Sequence, residues 1–172
     1  MATTAVVATV IDIMEIKIRK AEKRDAQRLV QLLETIALLH HKGRPDIYGN
    51  VAKYNVQDIE KKISNNDEII LVAVNDDDTV LGYTMSKIID VLPTGNNLGY
   101  KKMYIDDVCV DELYRKHGIG KLLMSATKQV AIDHKCHICD LNVWSFNENA
   151  IKFYESCGMK KQRIFMEYVL DE

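Results

Sequence analysis

The nine residues RKHGIGKLL, positions 115–123, constrain this chain most, because they join a β-rich segment to an amphipathic helix through a turn carrying two glycines. The preceding run MYIDDVCVD, 103–111, has the β-branched and aromatic content of a strand. After the turn, Ile119, Leu122, Leu123, Ala126 and Val130 fall along one helical stripe. At such a junction the first N–H groups of the helix lack intrahelical partners, and the positive end of the macrodipole faces outward, so an anion is favoured there. Gly118 and Gly120 present no Cβ to a phosphate approaching the main chain.

Two common phosphate loops are excluded by spacing. A GxxxxGK[ST] loop needs glycine where Arg115 stands and Ser or Thr where Leu122 stands. A GxGxxG dinucleotide turn needs glycine in place of Leu123 and an early βαβ unit, which the chain does not show.

The rest of the chain reads as one domain. Its 172 residues can bury a core without metals or disulfides. A net charge of −2 provides no general attraction to nucleic acid or anionic lipid, so neither is expected as a partner. Cys109, Cys136, Cys139 and Cys157 are too scattered for a secreted disulfide framework, which points to a reducing cytoplasm. Cys136-His137-Ile138-Cys139, with His134 nearby, has the look of a metal knuckle, but it lacks the second pair of a tetrahedral zinc site; no metal is expected. The apolar opening, residues 1–13, is too short for a membrane span and lacks the basic start of a signal peptide. It is read as an extension of unknown role before a single domain at 14–172.

Alternation predicts a first strand over residues 16–21, with Ile16 and Ile18 facing the core. Helical spacing predicts helices from Asp25 to about His41 and over 56–63. Strands at 67–75 and 79–90 flank the turn formers Asn75 to Asp78, and with 103–111 they make an antiparallel meander. The helix after Gly120 leads to a short strand at 140–144 in parallel pairing. A helix at 147–156 and a closing strand at 160–170 complete the order β-α-α-β-β-β-α-β-α-β.

The Arg-x-x-Gly-x-Gly pattern at Arg115, Gly118 and Gly120 resembles the pyrophosphate-binding motif of the GNAT superfamily of N-acetyltransferases. The stretch NENAIKFYESCGM, 147–159, resembles the other half of that signature through Asn147, Ala150, Phe153, Tyr154 and Gly158. The element order matches the same fold, an α+β architecture with a mostly antiparallel mixed sheet flanked by helices.

That resemblance implies an acetyl-CoA-dependent transferase acting on a primary amine of a small molecule or peptide. Its cofactor site would comprise the turn residues Arg115, Lys116, His117, Gly118, Ile119, Gly120 and Lys121, the backbone of Val108, Cys109 and Val110, and Asn147 and Tyr154. Tyr154 would protonate the leaving thiolate, and Asp106 would take the amine proton through a water. Strand alternation puts Asp106 with Val108 and Val110, and Asp107 with Cys109 and Asp111, so only one acidic set is expected to face the cleft. By analogy with the fold, residues 40–54 and 91–102 line the acceptor side, and the acids at Asp106, Asp107, Asp111 and Glu112 favour a cationic acceptor. Edge pairing provides a route to a homodimer. The competing reading is a sensor or partner module of the same fold that binds acetyl-CoA with little turnover.

Overall fold

The computed structural model describes residues 15–170; the expected extension at 1–13 lies outside them. Five strands form one sheet in the order β1-β2-β3-β4-β5: Lys17–Lys20, Glu68–Val74, Val80–Val91, Tyr100–Val110 and Ile138–Leu141. The first three pairings are antiparallel and β4–β5 is parallel, as the crossover through the long helix requires. Helices α1 (Ala26–Gly43), α2 (Val56–Ile63), α3 (Ile119–Asp133) and α4 (Glu148–Ser156) flank the sheet.

Side-chain alternation in β2 explains the layering. Ile70, Val72 and Val74 join Leu29, Leu33 and Ile59 of α1 and α2 in one core. Ile69, Leu71 and Ala73 point the other way, to Ile119 and Leu123 of α3. A strand buried on both faces reads as a continuous apolar run, as EIILVAV does. Each of the fully buried Leu and Ile side chains contributes roughly 1.5–3 kcal/mol through removal from water. Local chemistry sets the helix ends: Asn55 accepts from the Asp58 N–H at 3.0 Å, and Asp58 accepts from the Asn55 N–H at 3.2 Å, a reciprocal capping box that starts α2.

The structure makes three corrections. β4 begins at Tyr100, three residues before the expected start at Met103, because Val91↔Tyr100 closes its ladder with β3. β5 begins at Ile138 and ends at Leu141, earlier than the expected 140–144, in register with residues 102–105 of β4. The expected closing strand over 160–170 does not form within the described chain. A strand needs a neighbouring edge to satisfy its N–H and C=O groups, and residues 160–170 make no backbone pairing with one among the described residues.

Candidate active site

The two motifs meet where β4 and β5 part. The last β4–β5 pair is Ile105↔Leu141, and β4 then continues alone on that side through residues 106–110. The backbone groups that would face β5 along Val108, Cys109 and Val110 therefore lack a strand partner; of them the Val110 carbonyl accepts from Arg115 Nε, and the others are open to a ligand. The strands part there, and the start of α3 follows just beyond the end of β4.

At that end Gly118 caps α3 in the left-handed region, with φ of 81°. The first intrahelical bond from the turn runs from the Leu122 N–H to the Gly118 carbonyl, at 3.1 Å, so the amides of Ile119, Gly120 and Lys121 face outward as helix-start donors. A Cβ built on Gly118 meets nothing within 4 Å, whereas one on Gly120 would come 2.9 Å from Cζ of Phe153. Only the first glycine borders open space. The cradle suits a diphosphate: free amides, a helix N-terminus and no side chain in the way. Lys116, His117 and Lys121 are exposed around it. Arg115 turns back, donating from Nε to the Val110 carbonyl at 3.1 Å and pairing with Glu112 at 3.1 Å. Asn147 caps α4, its side-chain oxygen accepting from the Ala150 N–H at 3.2 Å.

The acids do not follow simple alternation. Met85 pairs with Asp107 and Ser86 with Ile105, so Asp106 is an extra residue, a β-bulge. The bulge re-aims its side chain: both Asp106 oxygens lie 2.7 Å from Lys53 Nζ, and one accepts from the Tyr54 hydroxyl at 3.1 Å. Tyr54 packs on the α1–α2 core, the same side to which Asp107 and Cys109 point. Both carboxylates thus serve one face, contrary to the expectation that only one set could.

Their proton affinities differ for identifiable reasons. Burial, reinforced by the neighbouring charge of Asp106, pushes Asp107 up to about 7. Burial opposes the charge on Lys53, but its bonds to Asp106 outweigh this and hold its proton more tightly than usual. Burial and then Asp107 push Tyr154 up to about 12. The Tyr154 ring lies 5.3 Å from that of Phe153, and its hydroxyl has no hydrogen-bond partner among the described residues. Tyr83, fully buried, also carries a hydroxyl without a partner among the described residues, and burial followed by Asp107 raises its pKa. Cys109 donates to the Leu32 carbonyl at 3.6 Å, and burial raises it to about 12, so it packs as a core residue and is no nucleophile.

Beyond β5, Trp144 stands edge-on to Tyr48 at 5.9 Å and receives the Arg44 guanidinium over its ring at 5.2 Å. Residues 44–55 therefore wall one side of the opening. The other expected acceptor loop, around 92–99, closes the β3–β4 hairpin at the opposite end of β4 from Val110. Asp111 is occupied by Arg28 and by the Leu113 N–H, and Glu112 by Arg115. Lys53 and Tyr54, which contact Asp106, and Asp107 beside it are candidates that the motifs did not reveal. The only sequence signal for Asp107 is an acidic pair inside an apolar strand. Among the described residues no three His, Cys, Asp or Glu side chains gather to hold a metal, and no helix is long and apolar enough to cross a membrane.

A model of the acetyltransferase (GNAT) family matches residues 30–159. The solved structure of a Bacillus halodurans protein, a tetramutant, superposes with a TM-score of 0.85 at 30% identity, covering 90% of this chain and 99% of that one. L-ornithine N5-acetyltransferase of Arabidopsis thaliana is 36% identical over 73 residues, 42% of this chain and 31% of its own length. Thialysine N-epsilon-acetyltransferase of Sus scrofa is 30% identical over 81 residues, 47% of this chain and 45% of its own. The match thus spans less than half of each of these two curated relatives. With the two motifs converging on one opening of a five-stranded mixed sheet, and with the family matched over most of its length, the chain belongs to the acetyltransferase (GNAT) family, acyltransferases that use acetyl-CoA.

Proposed function

We propose that this protein transfers the acetyl group of acetyl-CoA to the side-chain amine of a small basic molecule. The observation that carries the reading is the β4 bulge, which turns Asp106 and Asp107 to one face beside the opening between β4 and β5. Acetyl-CoA supplies the activated thioester. The amides of Ile119, Gly120 and Lys121 would hold its diphosphate, and the backbone groups along Val108 to Val110 that neither β5 nor Arg115 occupies would hold the arm that carries the thiol. Arg115, Lys116, His117 and Asn147 border this path.

An amine with pKa near ~10.4 is neutral in only about one molecule in 2,500 at pH 7, so removal of its proton is worth catalysing. Asp106, both of whose oxygens lie 2.7 Å from Lys53 Nζ, contributes to the acidic face that draws the ammonium in. Asp107, poised at about 7, takes its proton, while Tyr154 supplies one to the departing sulfur. The C–N bond forms as the C–S bond breaks, the second proton shed by the nitrogen restores Tyr154 while the one on Asp107 passes to solvent, and the products are the N-acetylated amine and free thiol.

The cationic acceptor is supported by the acids at the bulge and by the two relatives whose names specify ornithine and thialysine, both amino acids with a side-chain amine. Four free cysteines support a reducing compartment such as the cytoplasm. The test is thiol release from acetyl-CoA with ornithine, lysine, thialysine, polyamines, aminoglycosides and peptide N-termini as acceptors. Fastest turnover with a diamino acid is expected. Tight acetyl-CoA binding without release for any acceptor would establish the sensor instead.

A further inference from the structure

We propose that Tyr83 is a positioning residue for Asp107: its buried hydroxyl donates to that carboxylate through one water and steadies the charged form. The inference rests on the reading of Asp107 as the base. It starts from an unpaired group. Tyr83 is fully buried in β3, and its hydroxyl has no partner among the described residues. A buried hydroxyl left unpaired opposes folding, so its place in a core calls for an acceptor.

The sheet register identifies that acceptor. Tyr83 pairs with Cys109 and Met85 with Asp107, and the bulge falls only beyond Met85, so this stretch of the ladder is regular. Tyr83 and Asp107 are therefore diagonal neighbours on the face that packs against α1 and α2. Such diagonals lie about 7–8 Å apart, within reach of an aromatic side chain. A single water completes the link at little cost relative to a direct bond.

The other polar groups around Asp107 are already engaged. Cys109, on its own strand, donates to the Leu32 carbonyl. Asp106 accepts from Lys53 and from the Tyr54 hydroxyl, and Lys62 of α2 donates to Glu68 of β2. Tyr154 of α4 is the proton donor of the reaction above. Asp107 is left as the carboxylate on this face with neither a hydrogen bond nor an ion pair among the described residues. Burial and Asp106 press it towards its neutral form, and Lys53 and Lys62 oppose them. A hydroxyl donating to the charged form adds to that opposition without bringing another charge into the core.

Two readouts of Tyr83→Phe keep this proposal separate from the reading it rests on. Titration of the Asp107 carboxyl by NMR, its resonance identified by its loss in Asp107→Asn, needs no turnover and tests the contact alone. The pH profile of kcat/KM with the best acceptor tests the base. Both midpoints are expected to rise by about 0.5–1 unit, the size of one lost hydrogen bond to the charged form. A tyrosine that only fills the core would leave the carboxyl midpoint in place, and that result overturns the proposal whatever the rate does. A carboxyl midpoint that rises while the rate profile stays put supports the contact and overturns Asp107 as the base. Should Tyr83→Phe fail to fold, the unaltered chain decides: a Tyr83 Cζ resonance that follows the Asp107 titration supports the link, and one unmoved across pH 6 to 9 overturns it.

Discussion

Phe153 of α4 lies against Gly120 at the start of α3 so closely that a β-carbon there would stand 2.9 Å from Cζ and 3.0 Å from Cε2 of the ring. The two sequence motifs, more than thirty residues apart, are thus one packing unit: the ring fills the space that the missing side chain leaves. Gly120→Ala is expected to destabilise the fold by about 1–3 kcal/mol, the usual cost of overpacking. Adding Phe153→Leu should recover at least part of that loss, because the smaller side chain relieves the contact. Chemical denaturation of the two single variants and the double variant measures the coupling; additive effects would separate the residues.

Gly118 is required for a different reason. Its φ of 81° suits glycine, and nothing lies within 4 Å of the place a Cβ would occupy. Gly118→Ala should cost about 1–2 kcal/mol through left-handed strain alone. Its larger effect should be on acetyl-CoA, since the new methyl group borders the amide cradle. A Kd about 10-fold weaker is expected by calorimetry, equivalent to about 1.4 kcal/mol. Unchanged affinity would move the diphosphate elsewhere.

The contrast between these glycines marks what the sequence could disclose. Turn, helix and flanking strand were legible because glycine, β-branching and helical spacing are local signals. The distinct roles of Gly118 and Gly120 were not, since one depends on a ring brought back by α4. The bulge at Asp106 was equally invisible: alternation assumes an unbroken ladder, and a single extra residue brings the two neighbouring acids to one face. Lys53 gave no sign at all, because its meaning comes from Asp106, which is distant in sequence. The tail at 160–170 reads as strand-forming in composition, yet no strand forms there among the described residues, because a strand is a property of a pair and one segment does not reveal a partner edge.

Asp107 should set the pH dependence of both rate and stability. The folded carboxyl keeps its proton up to about 7, whereas an unfolded Asp releases it near ~3.9. Between those values the folded state binds more protons, so stability from this group is complete below the lower value and is lost as pH rises through the upper one. Asp107→Asn should therefore match the unaltered protein at pH 4 and be more stable at pH 8, by roughly 1–2 kcal/mol. As a base, by contrast, the residue is needed in its charged form. The rise of kcat/KM through pH 7 should disappear in the variant, with a loss of about 100-fold at pH 8. A variant that is stabilised yet retains the rising limb would remove Asp107 from the chemistry.

Lys53 should act through Asp106. Its ammonium lies 2.7 Å from both carboxylate oxygens, and the pair is partly exposed. Lys53→Met should change stability by less than about 1 kcal/mol, in keeping with a solvent-screened ion pair. It also removes a positive charge that lowers the proton affinity of Asp107. The midpoint of the pH–rate profile is therefore expected to move upward, and Lys53→Arg should restore it.

Tyr154 offers a separation of structure from chemistry. Burial and Asp107 raise the phenol to about 12, so it remains protonated throughout the working range and is always available as a donor. Tyr154→Phe keeps the ring and its contact with Phe153, centroids 5.3 Å apart, and deletes only the hydroxyl. A purely structural tyrosine would then leave kcat intact. A proton donor to the leaving sulfur requires otherwise: kcat should fall about 100-fold, while KM for both substrates stays within about threefold, because the lost interaction develops only as the C–S bond breaks. Substitution at this position should also leave the pH midpoint set by Asp107 in place, since the donor does not titrate below about 12. Steady-state kinetics across pH 6 to 9, with the melting temperature as a control for folding, tests both parts, and a fall in kcat that vanished at high pH would assign the proton to another group.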